Sequence, residues 1–448
     1  MFGLTTKKVI DKRNRPDVAI VFSESVVGSN EGKNLAHFLC GLLANSGFAN
    51  TFMIGINADG GPADIAPSRR IIYSPTGYDV GDKKKQIEIP AGDVTYAYLD
   101  KIATAHVIII TVNSNDMSPI KQQLTDILDP KRQNAMRSQT IFTIQRGVKN
   151  SAVVKDQFVG RKDVAVVEGV VGFAVVPHPK TGAFCPTVNL PCIIYERLSK
   201  EIEDLASGPL RLMENLDMQP SYDKTLTPYS WGVLIWENLY ALNVVSGGTI
   251  SETFLSRDCN TRFLLAAMTR ECRNALTIAA RGGGWRASFT LVSSTGAINP
   301  WLLEMLLVLP APIAVFQLFA WCFGILPPVG LISPGQLDLS EGRKTMCEAH
   351  LGELVQTGQR HSVAMPVCAM VLARITLMEA NVRLCLPGAG KGSMEEIKKL
   401  CDAAVALDTS SGGRLAARSL EECYFWLLRL VAVVSLVPVL IFLLFHDY

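Results

Sequence analysis

The stretch that decides the fold is residues 17–47, DVAIVFSESVVGSNEGKNLAHFLCGLLANSG. Its first part, Asp17 to Phe22, is a short apolar run that is followed at once by a turn. From Asn34 to Ala44 the apolar residues recur at helical spacing, and Asn45-Ser46-Gly47 then ends the segment. The stretch therefore predicts a strand, a turn and a helix in that order.

The rest of the chain extends this pattern and then changes it. Further strands are predicted at 51–56, 106–112, 140–145 and 164–176, with a helix at 120–128. Alternating strands and helices imply a parallel sheet that is covered on both faces. After about residue 226 the chain turns to long helical segments, such as Trp231 to Val245 and Thr261 to Ala280. A second, mainly α-helical domain is therefore predicted.

Composition excludes several classes of protein. The 448 residues contain 43 Lys and Arg against 41 Asp and Glu, so the net charge of +2 gives no electrostatic reason to expect a nucleic-acid partner. Eleven cysteines form no C-x-x-C pair and no Cys/His cluster at ligand spacing. This pattern indicates reduced thiols rather than a disulfide framework, and it predicts no metal site.

Apolar residues reach 48% of the chain, and two segments concentrate them. Residues 423–445 carry Arg429 as their single charge and are long enough to cross a bilayer, so a C-terminal transmembrane helix is predicted, with a buried terminal helix of a soluble core as the alternative. The run at 313–326 is too short to span. It is predicted to touch lipid or a partner subunit.

The predicted organisation has five parts. They are a basic N-terminal arm at 1–16, a Rossmann-like α/β domain at 17–226, a helical domain at 227–405, a linker at 406–422 and the transmembrane helix at 423–445. The arm contains five basic residues but no apolar core, so it is not a secretory signal peptide. An organelle-targeting segment and a surface arm remain open for it.

Several stretches resemble the ketopantoate reductases (2-dehydropantoate 2-reductases), which pair a Rossmann domain with an all-helical domain. The resemblance covers roughly residues 17 to 385, and its best stretches are HVIIITVNSNDMSPIKQQLTDIL (106–128), TIFTIQRGVKNSAVVKDQF (140–158), VVEGVVGFAVV (166–176), WGVLIWENLYALNVVSGG (231–248) and DLSEGRKTMCEAHLGELVQTGQRHSVAMP (338–366). Five stretches in the family's order make coincidence improbable.

The cofactor side of this resemblance is degenerate. The family's G-x-G-x-x-G loop falls on Ser23 to Gly28, where Ser23 and Ser25 replace the first two glycines and Gly28 keeps the last. Those glycines let the backbone approach a pyrophosphate, and a Cβ there obstructs it. The family's lysine and asparagine further along the domain fall on Asn113 and Arg146. No cofactor is therefore predicted. The alternative is an altered loop that binds NADP through Lys33.

The catalytic side is degenerate as well. The resemblance places the family's proton-donating lysine at Val233, its substrate-binding asparagine at Glu237 and its glutamate at Met346. Valine can neither donate a proton nor stabilise developing negative charge. A one-residue slip could restore Asn238 or Glu348, but it cannot supply the lysine.

Two local signals compete with this interpretation. Residues 387–393, PGAGKGS, resemble a kinase phosphate loop, but the preceding segment continues a helix where such a loop needs a strand. His178 and His361 are single histidines on predicted loops, and each is expected to face solvent.

The sequence favours a catalytically inactive relative of ketopantoate reductase that serves as a structural accessory subunit of a membrane protein complex, such as one of the respiratory chain in the mitochondrial inner membrane. Its expected partners are other subunits and the lipid bilayer. Two alternatives remain open. One is a membrane-tethered NADP-dependent 2-dehydropantoate 2-reductase, and the other is a nucleotide-binding sensor without chemistry.

Overall fold

The structure of the chain is a computed structural model. It describes residues 15–24, 28–57, 71–73, 86–90, 94–129, 138–145, 147–148, 150–178, 180–187, 192–214, 219–223, 226–254, 259–283, 291–293, 296–298, 304, 330–386 and 390–410.

The N-terminal half is built on strands. They are β1 (Asp17–Glu24), β2 (Asn50–Asn57), β3 (Ile71–Tyr73), β4 (Ile87–Ile89), β5 (Thr95–Tyr96), β6 (Val107–Ile110), β7 (Gln139–Thr143), β8 (Val164–Val171), β9 (Val175–Pro177), β10 (Phe184–Pro186), β11 (Cys192–Glu196) and β12 (Gln219–Asp223). Eight of them form one sheet in the order β12-β11-β8-β7-β6-β1-β2-β5. Pairing from β5 to β8 is parallel, as predicted, whereas β11 runs antiparallel to β8.

Helices cover the sheet and build the C-terminal half. They are α1 (Glu31–Ser46), α2 (Lys101–Thr104), α3 (Met117–Ile127), α4 (Asn150–Gln157), α5 (Lys200–Glu214), α6 (Thr227–Ser246), α7 (Ile250–Phe254), α8 (Cys259–Gly283), α9 (Pro334–Ser340), α10 (Cys347–Arg360), α11 (Pro366–Arg383) and α12 (Met394–Ser410). A short hairpin of β13 (Leu291–Ser293) and β14 (Gly296–Ile298) follows α8.

The side chains of β1 explain why both faces of the sheet are covered. Successive residues of a strand point to opposite faces. Ile20 and Phe22 belong to the core that lies under α1 and α5, while Ala19 and Val21 belong to the core under α2, α3 and α4. All four are fully buried. The sequence of β1 is continuously apolar because both faces of the strand are packed.

The strand order reverses at β1, which lies between β2 and β6. In open α/β sheets, the crevice that holds the ligand opens at such a reversal, outside the carboxyl ends of the strands. Here the segment from Ser29 to Glu31 follows β1, and the segment from Thr111 to Asn113 follows β6. The fold therefore places the beginning of α1 beside the end of β6.

A second sheet of four short strands, in the order β4-β3-β10-β9, packs against α1. The contact is closest at Gly41, where an added Cβ would lie 2.6 Å from Cδ1 of the Tyr73 ring. The Tyr73 side chain is fully buried. Glycine is required at this position of α1 because the tyrosine ring occupies the space of a side chain.

Helix α6 is the centre of the C-terminal half. It packs against α8, α9, α10, α11 and α12 and carries fully buried residues on several sides, among them Leu234, Leu242 and Val245. A helix that is apolar on most of its surface is a core helix. The predicted helical domain is confirmed in this respect.

The described residues include no helix that is both long enough and apolar enough to cross a bilayer. The predicted transmembrane segment 423–445, the linker from 411 onward and the apolar run 313–326 all lie outside the described residues. Of the N-terminal arm, only Arg15 and Pro16 are described.

Candidate functional site

Three successive backbone N–H groups at the beginning of α1 donate to side chains. The nitrogen of Gly32 donates to Oδ1 of Asn113 at 3.0 Å, and that of Glu31 donates to Oγ of Ser29 at 3.1 Å. The nitrogen of Asn30 donates to Oδ1 of Asp338 at 3.0 Å. These are the amides that a helix N-terminus leaves without intrahelical partners, and in dinucleotide-binding proteins they face the pyrophosphate.

Asn113 fastens this segment to the end of β6. Besides accepting from Gly32, it donates through Nδ2 to the carbonyl of Ser29 at 2.8 Å. At the sequence level Asn113 was a degenerate cofactor position, and the structure places it at the start of α1 as a buried support for the loop. An added Cβ on Gly32 would lie 2.1 Å from the carbonyl oxygen of Thr111, so Gly32 provides the close approach between helix and strand.

Asp338 reaches the same place from helix α9 of the C-terminal half. Its carboxylate accepts from Oγ of Ser29 at 2.5 Å as well as from the Asn30 nitrogen. The pKa of Asp338 is raised to about 7: burial is the main cause and the neighbouring Glu31 and Glu341 add to it, while the hydrogen bonds from Asn30 and Ser29 oppose the rise. A carboxylate of the chain itself therefore lies where a phosphate would bind.

Among the loop positions that the structure describes, no second anion site is formed. Ser23, at the end of β1, is buried. Lys33, the residue through which an altered loop could bind NADP, forms an ion pair with Glu24 at 2.5 Å between Nζ and Oε1. Gly28 immediately precedes Ser29, whereas Ser25 and Arg146 lie outside the described residues.

Next to this contact lies a pocket between α1 and the helical half. Its polar lining consists of Glu31 from α1, Glu237 and Tyr240 from α6, and Cys347 and His350 from α10. Its apolar lining includes Met346, which is buried. One ligand atom each from Glu31, Glu237 and His350 lie within 4.8 Å of one another, and all three residues are buried.

Val233 does not reach this pocket. It is buried in an apolar cluster with Val170 of β8, Ile194 of β11 and Leu226. No lysine is among the described residues that line the pocket. Lys344, on the segment that precedes α10, forms an ion pair with the exposed Glu348. The described part of the pocket thus offers carboxylates, an imidazole, a phenol and a thiol, but no ammonium group.

Asn238, which a one-residue slip could restore, and two polar residues near it in the fold have structural partners. Asn238 donates to the Sγ atom of Cys272. Asn243 donates to Oγ1 of Thr253 at 2.9 Å and accepts from the backbone nitrogen of Ser333 at 3.2 Å. Ser333 in turn caps α9 by accepting from the nitrogen of Gln336. These side chains hold α6, α7 and α9 together.

The two single histidines differ in their surroundings. His361 is exposed, as predicted. His178 was predicted to face solvent, and that prediction is wrong: its ring is buried and Nδ1 accepts from the backbone nitrogens of Lys180 and Thr181 at 3.3 Å. The turn after β9 folds back over the ring. In the competing phosphate-loop segment, residues 387–389 lie outside the described residues, and the preceding helix α11 ends at Arg383.

Three residues of the site were missed at the sequence level. Glu31 was assigned no role from the sequence, and neither were Asp338 and His350, which lie inside the stretch 338–366. Asp338 and His350 could have been singled out because the stretch that contains them resembles a segment of the family that includes a substrate-binding position. Glu237 was singled out, and the structure brings it together with Glu31 and His350.

Comparison with known proteins identifies the fold. No family model and no curated protein matches the chain. Among solved structures, a PanE/ApbA family ketopantoate reductase from Ralstonia eutropha is similar with a TM-score of 0.53 at 14% identity, over 81% of this chain and 99% of that one. A putative 2-dehydropantoate 2-reductase from Staphylococcus aureus gives 0.52 at 12% identity, over 82% and 99%.

A D-mandelate dehydrogenase in a ternary structure with NADH and anilino(oxo)acetate gives a TM-score of 0.52 at 11% identity, over 81% of this chain and 99% of that one. These likenesses confirm that the chain has the ketopantoate reductase fold, with a Rossmann part followed by a helical part. At such identities they establish the fold and leave the activity to be inferred from the site.

Proposed function

We propose that this chain is a catalytically inactive protein of the ketopantoate reductase fold that serves as a structural subunit of a membrane complex, such as one of the mitochondrial respiratory chain. The proposal that the protein is inactive rests mainly on the position of the Asp338 carboxyl group at the start of α1. It accepts from the Asn30 nitrogen and the Ser29 hydroxyl, the groups that a pyrophosphate would need. A dinucleotide would have to displace a buried carboxylate and then lie beside Glu31.

The chemistry of the pocket supports the same proposal. A ketone reduction requires a group that gives a proton to the oxygen as hydride arrives. Where the resemblance expects a lysine the chain has Val233, which is packed among apolar side chains. Loss of a positioned general acid typically removes about 10²–10⁴-fold in rate.

One feature favours the alternative, a membrane-tethered NADP-dependent 2-dehydropantoate 2-reductase. The imidazole of His350 lies in the pocket beside Glu237, with 3.7 Å between Nδ1 and Oε2. Such a pair could serve as a proton donor in place of the lysine. It would still need a dinucleotide in the crevice.

The membrane half of the proposal rests on the sequence. Residues 423–445 are long and apolar enough to span, and 313–326 form a second apolar segment that a soluble enzyme does not need. Both features are additions to a fold that is otherwise that of soluble reductases.

The first test uses the full-length chain, purified in a mild detergent. NADPH and NADH at millimolar concentration should leave Tm unchanged, whereas a ligand at a hundred times its Kd would stabilise the protein by about 2.7 kcal/mol. With ketopantoate present, NADPH should not be oxidised. A clear shift with NADPH together with turnover of about 1 per second or more would establish the reductase instead. A shift without turnover would favour the nucleotide sensor.

The second test concerns the assembly. The native protein should resist alkaline carbonate extraction and should migrate on a native gel within a larger complex. Deletion of the chain from Cys423 onward should release the protein from the membrane and from the complex. A full-length chain that migrates as a monomer or homodimer would remove support for the subunit role.

A further inference from the structure

We propose that Glu31, Glu237 and His350 form a binding site for one divalent transition-metal ion, with Zn²⁺ as the ion to test. The site would join helix α1 of the Rossmann part to helices α6 and α10 of the helical part. This inference goes beyond the proposed function, because it assigns a ligand to the pocket whether or not the protein is inactive.

The geometry is that of a ligand set. One carboxylate oxygen from each glutamate and one ring nitrogen of His350 lie within 4.8 Å of one another. The Nδ1 atom of His350 and Oε2 of Glu237 are 3.7 Å apart, which is too long for a hydrogen bond between them. Two ligands at about 2.0–2.2 Å from a tetrahedral Zn²⁺ are separated by roughly 3.4 Å, so a small inward movement would bring these atoms into coordination distance.

The pocket has room for one ion. Its volume is about 20 Å³, enough for a single water molecule or metal ion. Its lining also includes the apolar side chains of Val244 and Ala241 of α6 and of Leu351 of α10. An ion in this position would have low-dielectric surroundings, which strengthen its attraction to the carboxylates.

Charge balance supports a cation. The two buried glutamates lie within reach of one ion, and a divalent cation there would offset both of their negative charges. A protonated His350 would neutralise one charge, whereas a divalent ion would neutralise two.

The donor types indicate which ions fit. Mg²⁺ and Ca²⁺ prefer sites built entirely from oxygen atoms, whereas an imidazole together with carboxylates suits zinc and other first-row transition metals. Three protein ligands leave a fourth tetrahedral position for water or for a neighbouring group. We therefore expect Zn²⁺ to bind and Mg²⁺ at the same concentration to have little effect.

The experiment measures zinc binding by the full-length chain in mild detergent, by titration calorimetry and metal analysis after desalting. After removal of metal with EDTA, the wild type should bind Zn²⁺ at this site, and saturation at a hundred times Kd should raise Tm by about 3 °C. Glu237→Gln and Glu31→Gln should each lose one equivalent of tightly bound zinc, with affinity at that site reduced by at least about 100-fold. The matched control is Glu348→Gln on α10, because Glu348 is exposed and faces Lys344.

The comparison of variants also accounts for other binding groups, since thiols elsewhere, such as the exposed Cys385, would bind zinc equally in all of them. The inference is overturned if the wild type gains no stability from Zn²⁺, or if Glu237→Gln and Glu31→Gln bind as many equivalents as Glu348→Gln. Should both glutamine variants fail to fold, the wild-type Tm with and without Zn²⁺ decides.

Discussion

Asp338 and Asn30 are 308 residues apart in the sequence, yet a carboxylate oxygen of Asp338 accepts a hydrogen bond of 3.0 Å from the backbone nitrogen of Asn30. The contact links helix α9 to the first turn of α1 and joins the two halves of the chain. It is reinforced by the Ser29 hydroxyl, which donates to the other carboxylate oxygen. This contact occupies the place at which the fold binds phosphate in dinucleotide enzymes.

Removing the carboxylate should open that place to an anion. In Asp338→Ala the Asn30 nitrogen and Ser29 hydroxyl lose their acceptor, so sulfate or pyrophosphate should bind there and raise Tm, which it should not do in the wild type. Glu348→Ala, which removes one negative charge from an exposed site, is the control for net charge. Equal anion effects on Asp338→Ala and on this control would contradict the prediction.

The raised pKa of Asp338 should make stability depend on pH. Its pKa in the folded state is about 7 against an ordinary value of 3.8, so between these values the folded protein holds a proton that the unfolded chain has lost. The free energy of unfolding should therefore fall as pH rises through this window. Asp338→Asn, which stays neutral, should gain roughly 2–3 kcal/mol relative to the wild type between pH 5 and pH 8.

Denaturant unfolding of both proteins at several pH values, in EDTA, measures that difference. A constant difference across the window would show that the carboxyl group is ionised throughout. In that case the two hydrogen bonds would lower the pKa of Asp338 by as much as burial raises it.

Restoring a lysine at position 233 should not restore activity. Val233 is 5% exposed and packs against Val170 and Ile194, so an ammonium group there would have an apolar environment. Val233→Lys should lower the free energy of unfolding by roughly 3 kcal/mol or more, as expected for an unpaired buried charge. Val233→Met, which changes the size of the side chain but adds no charge, should lower the free energy of unfolding by less. Ketopantoate reduction by Val233→Lys would show that the position still faces a functional site.

Glu271 should stabilise helix α11. This residue of α8 is buried, and its two carboxylate oxygens accept from the backbone nitrogens of Val367 at 3.0 Å and Cys368 at 2.9 Å, at the beginning of α11. In Glu271→Gln the side-chain NH₂ group would face a backbone N–H donor. The free energy of unfolding, measured with denaturant, should therefore fall by about 1–3 kcal/mol. Glu348→Gln should change stability by less than about 0.5 kcal/mol. Equal losses would show that the capping contact contributes nothing.

The C-terminal apolar segment gives a prediction that rests on the sequence. A charge at the centre of a spanning helix costs about 2.5–3.5 kcal/mol on insertion scales, so Val434→Asp should impair membrane insertion much more than Arg429→Asp near the end of the segment. Glycosylation-site mapping or carbonate extraction measures insertion. Similar behaviour of the two variants would argue against a spanning helix.

The parts of the fold that the sequence predicted are those with local signals. The strand at Asp17 and the helix after it were predicted because apolar spacing is a property of neighbouring residues, and the structure extends that helix to Glu31–Ser46. The antiparallel course of β11 and the small sheet beside α1 were not predicted, since short strands of three residues carry little periodic signal. His178 was misjudged for a similar reason, because burial of a loop residue depends on distant packing.

The candidate site was predictable only in part. The absence of a lysine at Val233 could be inferred from the resemblance alone. The pairing of Asp338 with Ser29 spans 309 residues, and no local pattern in the sequence indicates it. The same holds for Glu31 and His350, which lie far apart in the sequence and whose side chains come close only in the folded chain.

The Asp338 contact has a consequence for how the protein responds to its surroundings. An enzyme that borrows part of its stability from a bound nucleotide becomes more or less stable as the supply of that nucleotide rises and falls. Here the occupying group is tethered to the same polypeptide, so its effective concentration is fixed by covalent connection and does not vary with metabolism. Under the proposed function, the stability of the fold would therefore not change with the supply of a nucleotide.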